Sequence, residues 1–344
     1  MRRVRIALLG CGTVGGGLVR LIEKSRSDLA ARHGVEFTLA RVLVRDVARR
    51  REGVEPGCLT NRPDEAIPPD TDVVVELLGG IEPARALLRR AIERGLPVVT
   101  ANKALLAQHG PELFSLADAK GVALGFEGSV GGGIPIVRAL RGGLAGNHVQ
   151  SVSGVLNGTC NLVLTRMERE GVSFAAALRS AQEAGFAEAD PSLDIEGWDA
   201  AQKLVVLSAL AFGSWSPLSR VRVRGIRDVT PDRLVQARAR GRVLRSVAVA
   251  ERRASGLELS VEPRELPGDH PLAAVSMEEN AVLVRGDTVG ELLFRGRGAG
   301  AGPTATAVLG DLCDAAGTGP GRPPWPAASP SPERMAPPKN VLAL

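Results

Sequence analysis

The 344-residue sequence predicts an α/β protein in two parts: a parallel sheet covered by helices, then an α+β portion with a mixed sheet. Over the first 126 residues, apolar runs alternate with helical stretches. Those runs are continuously hydrophobic, as strands buried on both faces of a parallel sheet must be. From about Val221 to Arg295 short β-runs follow one another instead, which is the pattern of a mixed sheet.

The elements are read in chain order. VRIALLG (4–10) is the first strand; a glycine cluster and a helix from Thr13 to about Ala31 follow. FTLARVLV (37–44) and DVVVELLG (72–79) are the second and third strands. PARALLRRAIERG (83–95) is a helix closed by Gly95, PVVT (97–100) is the fourth strand, and another helix starts near Lys103. GVALGF (121–126) completes this sheet. In the middle, 132–144 reads as helix, 149–156 as strand, 158–184 as helix, and 199–212 as a strongly apolar helix. LRSVAVA, LELSVEP, AVLVRG and ELLFRG supply the later strands, and 302–317 forms a last helix. Residues 318–344 carry eight prolines and are expected to be a disordered tail.

Composition excludes several functions. There is no tyrosine, so no tyrosyl hydroxyl can act as catalytic acid, and a Tyr-x-x-x-Lys dehydrogenase is ruled out. Seven Phe and three Trp are too few for a base-stacking nucleic-acid platform. The net charge of +5 is spread among interleaved acids, without the Lys/Arg stripe of a nucleic-acid face. Cys11, Cys58, Cys160 and Cys313 lie far apart with no metal-ligand spacing, so reduced thiols and a cytoplasmic protein are expected. The start MRRVRIALLGCG imitates a signal peptide, but its apolar part is short and runs into a glycine loop. The longest apolar stretch, around 204–212, is too short to span a bilayer, so no membrane partner is expected.

Only five of the 43 basic residues are Lys: Lys24, Lys103, Lys120, Lys203 and Lys339. Arg can replace Lys wherever only positive charge is wanted, but guanidinium cannot give up a proton. Each remaining Lys is therefore a candidate for proton chemistry, although Lys24, Lys120 and Lys339 read as surface residues.

Gly10, Gly12 and Gly15 form G-x-G-x-x-G directly after a strand and at the opening of a helix. There the first glycine permits the tight turn, the second lets backbone approach a pyrophosphate, and the third lets helix and strand pack closely. This marks a Rossmann-type nucleotide-binding domain. At the tip of the second strand Arg45 stands where an acid would hold the ribose diol of NAD. With Arg49, Arg50 and Arg51 nearby, this leans towards NADP, although in an Arg-rich chain they also read as solvated charges.

Four segments carry the remaining chemistry. In VVTANKALLA (98–107), Asn102 is a candidate helix cap and Lys103 opposes the helix dipole, a placement suited to proton transfer or an anionic ligand. In FEGSVGGGIP (126–135), Glu127 precedes nearly bare backbone whose carbonyls could face a cation; the plain alternative is a hinge. GVLNGTCN (154–161) is a strand–turn–helix with Asn157 as cap. In AGFAEADPSLDIEGWDAAQKL (184–204), Glu188, Asp190, Asp194, Glu196 and Asp199 crowd before an apolar helix. Asp199 and Lys203 are four residues apart and share a helix face. The plain reading is a surface salt bridge, but a Lys at the head of so apolar a helix reads as a buried general acid/base.

Together with GAGAGPTATAV, these segments resemble homoserine dehydrogenase over about residues 4–316. The resemblance implies reversible NAD(P)-linked conversion of L-homoserine to L-aspartate 4-semialdehyde, on the route to threonine and methionine. Matched by motif, Lys203 is implied as acid/base, Lys103 as a second catalytic or cofactor-contacting lysine, and Asp194 as a supporting carboxylate. Glu188 and Asp199 are implied as the homoserine-binding acids. Gly10, Gly12, Thr13, Val14, Gly15, Arg45, Thr100, Ala101, Lys103 and Gly300 are implied to bind the cofactor. Glu127 with the carbonyls of Val130, Gly132 and Ile134 resembles the family's sodium site. The implied division is a nucleotide domain over 1–126, completed by helix 302–317, and a catalytic and dimerisation domain over 127–301; the family is usually a homodimer. Gly128, Leu162 and Phe186 depart from the family's frequent Ala, Tyr and Tyr, but remove no assigned group. Only the Pro-rich segment follows the core, so threonine inhibition through an ACT domain is not expected. Two other readings compete: a semialdehyde dehydrogenase with Cys160 as nucleophile, for which His148 is the only nearby histidine, and a non-catalytic dinucleotide sensor.

Overall fold

The computed structural model describes residues 1–317; the expectation of a disordered tail over 318–344 lies outside them. The chain opens with β1 (Arg2–Leu9), α1 (Thr13–Lys24), α2 (Arg26–His33) and β2 (Val35–Leu43). β3 (Leu59–Thr60), β4 (Val73–Glu76), α3 (Ala84–Glu93), β5 (Val98–Thr100), α4 (Lys103–Lys120) and β6 (Leu124–Gly125) follow. The six strands form one sheet in the order β3-β2-β1-β4-β5-β6, all pairs parallel. The order reverses at β1, so a crevice opens between the carboxyl ends of β1 and β4, where such sheets bind ligands. Ile6, Leu8, Val74, Val75 and Val99 are fully buried, which is why these strands are apolar throughout.

The chain then passes through α5 (Ile136–Arg138) and a π-helical turn over Ala139–Gly143 to β7 (Val149–Val155) and α6 (Gly158–Glu170). α7 (Phe174–Glu183), α8 (Ser192–Ile195) and α9 (Trp198–Phe212) come next. β8 (Arg222–Val223), α10 (Pro231–Ala239), β9 (Arg242–Arg253), β10 (Gly256–Pro267), β11 (Glu279–Gly286) and β12 (Gly290–Arg297) complete this part. The second sheet runs β12-β11-β7-β9-β10-β8 and is mixed: β8 is parallel to β10, and every other pair is antiparallel. α9, buried from Asp199 to Ala209, packs on this sheet and on α4 of the first. Finally α11 (Ala301–Ala315) returns to lie against α1, β5 and β6. No helix among the described residues is long and apolar enough to cross a membrane.

Several elements differ from their sequence expectations. The helix expected over 13–31 breaks at Ser25 into α1 and α2. The helix expected over 158–184 is two, because Gly171 takes a left-handed conformation and Ser173 caps α7 through its hydroxyl. Over 132–144 only 136–143 is helical, because two left-handed glycines (131 and 132) and Pro135 hold the preceding chain open. The strand expected over 72–79 ends at Glu76, whose carboxylate captures the amides of Leu78 and Gly79. Among the β-runs after Val221 stands α10, capped by Thr230 with Pro231 in its first turn.

Candidate active site

The glycine loop lies at the crevice. Gly10 is left-handed, and a Cβ on Gly15 would sit 2.3 Å from the Gly10 carbonyl oxygen, so the helix start packs onto the turn only if residue 15 is bare. A Cβ on Gly12 would meet nothing within 4 Å, leaving open space before the α1 N-terminus. A pyrophosphate fits there on steric and electrostatic grounds. Thr13 is exposed beside it, and Val14 is half-buried. Arg45 is exposed just past the end of β2. Gly300 caps the exposed start of α11, and Gly17 of α1 packs against Ala301 beside it. Thr100 ends β5 and Ala101 follows it; Thr100 is fully buried, its hydroxyl donating to Glu76.

The catalytic candidates converge from the starts of α4 and α6 and from α9. Asn102 caps α4 by accepting the Leu105 amide at 3.0 Å, and Lys103 leaves from the first turn. Its Nζ lies 3.2 Å from Asp199 Oδ1. The other oxygen, Oδ2, accepts Lys203 Nζ at 2.6 Å and Asn157 Nδ2 at 2.8 Å. Asp199 is 5 % and Lys203 8 % exposed, so this is a desolvated cluster and not a surface salt bridge. Lys203 also donates to the Leu156 carbonyl at 2.7 Å, which in turn accepts Asn280 Nδ2 at 2.8 Å. Burial alone would push the Asp199 carboxyl up. The charges of Lys203 and Lys103, with the bonds from Lys203 and Asn157, outweigh it and hold the group well below the usual carboxylate range.

Asn157, expected as a cap, does more. Its Oδ1 accepts the Cys160 amide at 2.8 Å and so caps α6, while its Nδ2 donates to both Asp194 Oδ1 (2.7 Å) and Asp199. Thr159 Oγ1 donates to the other oxygen of Asp194 at 2.9 Å. Neither role was legible beforehand, although an Asn-Gly-Thr turn feeding a helix is the signal that could have pointed to them. Glu188 is exposed on the loop after α7, with its carbonyl accepting Gln182 Nε2, and its carboxylate makes no hydrogen bond or ion pair to this cluster among the described residues. Cys160 is buried at 1 % exposure. Burial first, then the charges of Asp194 and Asp199, push its thiol well above the ordinary value, which leaves it inert as a nucleophile.

Glu127 is buried, and its carboxylate accepts the amides of Val137 (2.8 Å) and Arg138 (2.9 Å), with Arg138 Nε at 3.8 Å. Each of its carboxylate oxygens is thus already engaged by one backbone amide. The carbonyls of Val130 and Gly132 accept no hydrogen bond among the described residues, whereas that of Ile134 accepts Ile136 N–H. Bare backbone oxygens suit a hard cation such as sodium. Among the described residues no group of three or more His, Cys, Asp and Glu could hold a metal.

Two family models cover the chain: "Homoserine dehydrogenase, NAD binding domain" over residues 10–127 and "Homoserine dehydrogenase" over 135–313. The chain belongs to the homoserine dehydrogenase family. It is 42 % identical to the homoserine dehydrogenase of Bacillus subtilis over 314 residues, 91 % of this chain and 72 % of that one. It is 43 % identical to the enzyme of Mycobacterium tuberculosis over 319 residues, with the same coverage. The crystal structure of a homoserine dehydrogenase from Thiobacillus denitrificans superposes with a TM-score of 0.87 at 43 % identity, covering 92 % of this chain and 73 % of that one. A hyperthermophilic archaeal homoserine dehydrogenase in complex with NADPH superposes at 0.76 with 29 % identity, covering 93 % and 99 %. The chain is thus an NAD(P)-dependent oxidoreductase acting on a small molecule. Neither the cysteine-dependent reading nor the non-catalytic sensor stands beside these relatives.

Proposed function

We propose that the chain interconverts L-homoserine and L-aspartate 4-semialdehyde, on the route to threonine and methionine, with Lys203 as general acid/base. The observation that carries this reading is the convergence of Lys103 from α4 and Lys203 from α9 on the single buried carboxylate of Asp199. When bound, the dinucleotide supplies the hydride acceptor, and in reverse the donor, at its nicotinamide. Lys203 Nζ, in its neutral form, takes the proton from the 4-hydroxyl as that carbon gives up its hydride, and returns it to the aldehyde oxygen in reverse. Asp199 holds both lysines in place, Lys103 being the second catalytic lysine of this reading. Asp194, fixed by Asn157 and Thr159, orients the segment before α9, and Glu188 together with Asp199 receives the homoserine ammonium. Burial of Lys203 and Asp199 keeps bulk water from the proton being moved.

Gly10, Gly12, Thr13, Val14, Gly15, Thr100, Ala101, Lys103 and Gly300 form the dinucleotide cradle in this reading. Exposed Arg45 favours NADP by pairing its 2′-phosphate. Residues 1–126 with 302–317 bind the cofactor; 127–301 bind substrate and join two copies into a homodimer. Glu127 with the carbonyls of Val130, Gly132 and Ile134 would hold a sodium ion, which would pin this segment. Four free cysteines suit the reducing cytoplasm. The test is reduction of NADP and of NAD by the purified chain in the presence of L-homoserine. No homoserine-dependent reduction would sink the reading, and a strong preference for NAD would overturn the choice of NADP. Light scattering on the same sample reads the dimer.

A further inference from the structure

Glu76 is a buried acid that the mechanism above leaves unused. It ends β4 at the rim of the crevice, paired in register with Leu9 on β1 and Thr100 on β5, and its exposure is 0 %. No Lys, Arg or His nitrogen lies within 4 Å of it among the described residues. A buried carboxylate without a cation is costly unless donors meet it. Here one oxygen accepts the amides of Leu78 (2.8 Å) and Gly79 (3.2 Å), and the other accepts the Thr100 hydroxyl at 2.5 Å.

These bonds converge on α4. The Thr100 hydroxyl, while donating to Glu76, accepts the Asn102 amide at 3.0 Å. Asn102 caps α4 and donates Nδ2 to the Gly80 carbonyl at 2.6 Å, in the very turn whose amides Glu76 holds. The helix start is thereby tied to Glu76 twice, once through Thr100 and once through the 77–80 turn. The next residue is Lys103, whose amine reaches Asp199. A Gln amide would keep one oxygen for the Leu78 and Gly79 amides but turn an N–H towards the Thr100 hydroxyl, breaking the bond that this hydroxyl now donates.

We propose that Glu76 is a positioning residue for Lys103: its buried carboxylate fixes the start of α4 so that the lysine meets Asp199 of α9. The proposal rests on the catalytic assignment of Lys103. Misplacing a reacting group by about an ångström can cost on the order of a hundredfold in rate. The test is a double-mutant cycle of Glu76→Gln with Lys103→Ala, read as kcat for homoserine oxidation, alongside the dinucleotide KM and the melting temperature. Expected is a ten- to hundredfold loss of kcat in Glu76→Gln with the dinucleotide KM within about threefold, and under threefold further loss when the same change is made in Lys103→Ala. Thr100→Val, which cuts the same link from the other side, should reproduce the loss of kcat and its dependence on Lys103, and serves if the Gln variant does not fold. Multiplicative losses in the cycle, an unchanged kcat in Glu76→Gln, or a loss confined to dinucleotide KM would each overturn the proposal. A harmless Lys103→Ala would instead remove the assignment beneath it, and the proposal with it.

Discussion

Replacing Lys203 by Arg separates proton transfer from mere positive charge. The Lys203 amine makes two short bonds, to Asp199 and to the Leu156 carbonyl. Removing them with Lys203→Ala strands neither acceptor. Asp199 keeps Asn157 and Lys103, and Leu156 keeps Asn280. The stability loss should therefore be near the value of one charge-assisted hydrogen bond, about 1.5–3 kcal/mol. It should fall short of the 3–5 kcal/mol typical when a buried charge is left alone. Loss of a general acid/base costs about 10²- to 10⁴-fold in kcat, roughly 3–5 kcal/mol of barrier. Lys203→Arg keeps a cation on Asp199 but cannot yield a proton at any working pH. It should be as slow as Lys203→Ala while binding the dinucleotide like the parent, because α9 lies away from the glycine loop. Steady-state homoserine oxidation, dinucleotide titration and melting temperature measure the three quantities. Activity within about fivefold of the parent in Lys203→Arg would refute the acid/base role and leave only electrostatic positioning.

Other outcomes follow from the same structure. Burial and the neighbouring charge of Glu127 push Asp311 up to about 7. Between its ordinary value near 4 and that point the native state holds a proton the unfolded chain has lost, so stability should fall as pH rises through this window and level off above it. Asp311→Asn should flatten that fall by up to about 4 kcal/mol in urea unfolding, and equal slopes in the two proteins would contradict it. Gly15→Ala drives a Cβ against the Gly10 carbonyl and should destabilise by about 1–3 kcal/mol. Gly12→Ala meets open space, so it should melt like the parent yet lose dinucleotide affinity; a lowered melting temperature would argue against that role. Arg45→Ala should raise the KM for NADP at least tenfold and leave that for NAD nearly unchanged, the loss of one charge-assisted bond. Equal changes for both cofactors would remove the 2′-phosphate contact.

The strands of the first sheet were legible because burial on both faces requires uninterrupted apolar residues, and Val73–Val75 or Val98–Val99 can serve little else. The helix breaks were harder, since one residue out of register at Ser25 leaves the apolar period on either side almost intact. Elsewhere the signals were present and outweighed. Gly171 followed by Ser173 is a helix stop and a new cap, and Thr230-Pro231-Asp232 is a helix start set among β-runs that drew the reading towards sheet.

The site shows what sequence distance hides. The pairing of Asp199 with Lys203 follows from helical spacing alone, because residues four apart share a face. That Lys103, ninety-six positions earlier, reaches the same carboxylate follows from no local rule; it depends on α9 packing against α4. Scarcity nevertheless pointed there. In a chain where 38 of 43 basic residues are Arg, two of five lysines meet on one buried acid. If charge alone were wanted, Arg would serve at both places, with its bidentate fork better matched to a carboxylate. What an amine offers and guanidinium does not is a proton it can release. Substitution by Arg at position 103 as well as 203 therefore measures how far that distinction reaches. If Lys103 only anchors Asp199 or contacts the dinucleotide, Lys103→Arg should keep most of the activity while Lys203→Arg loses it. If both variants lose it alike, the proton path includes both amines.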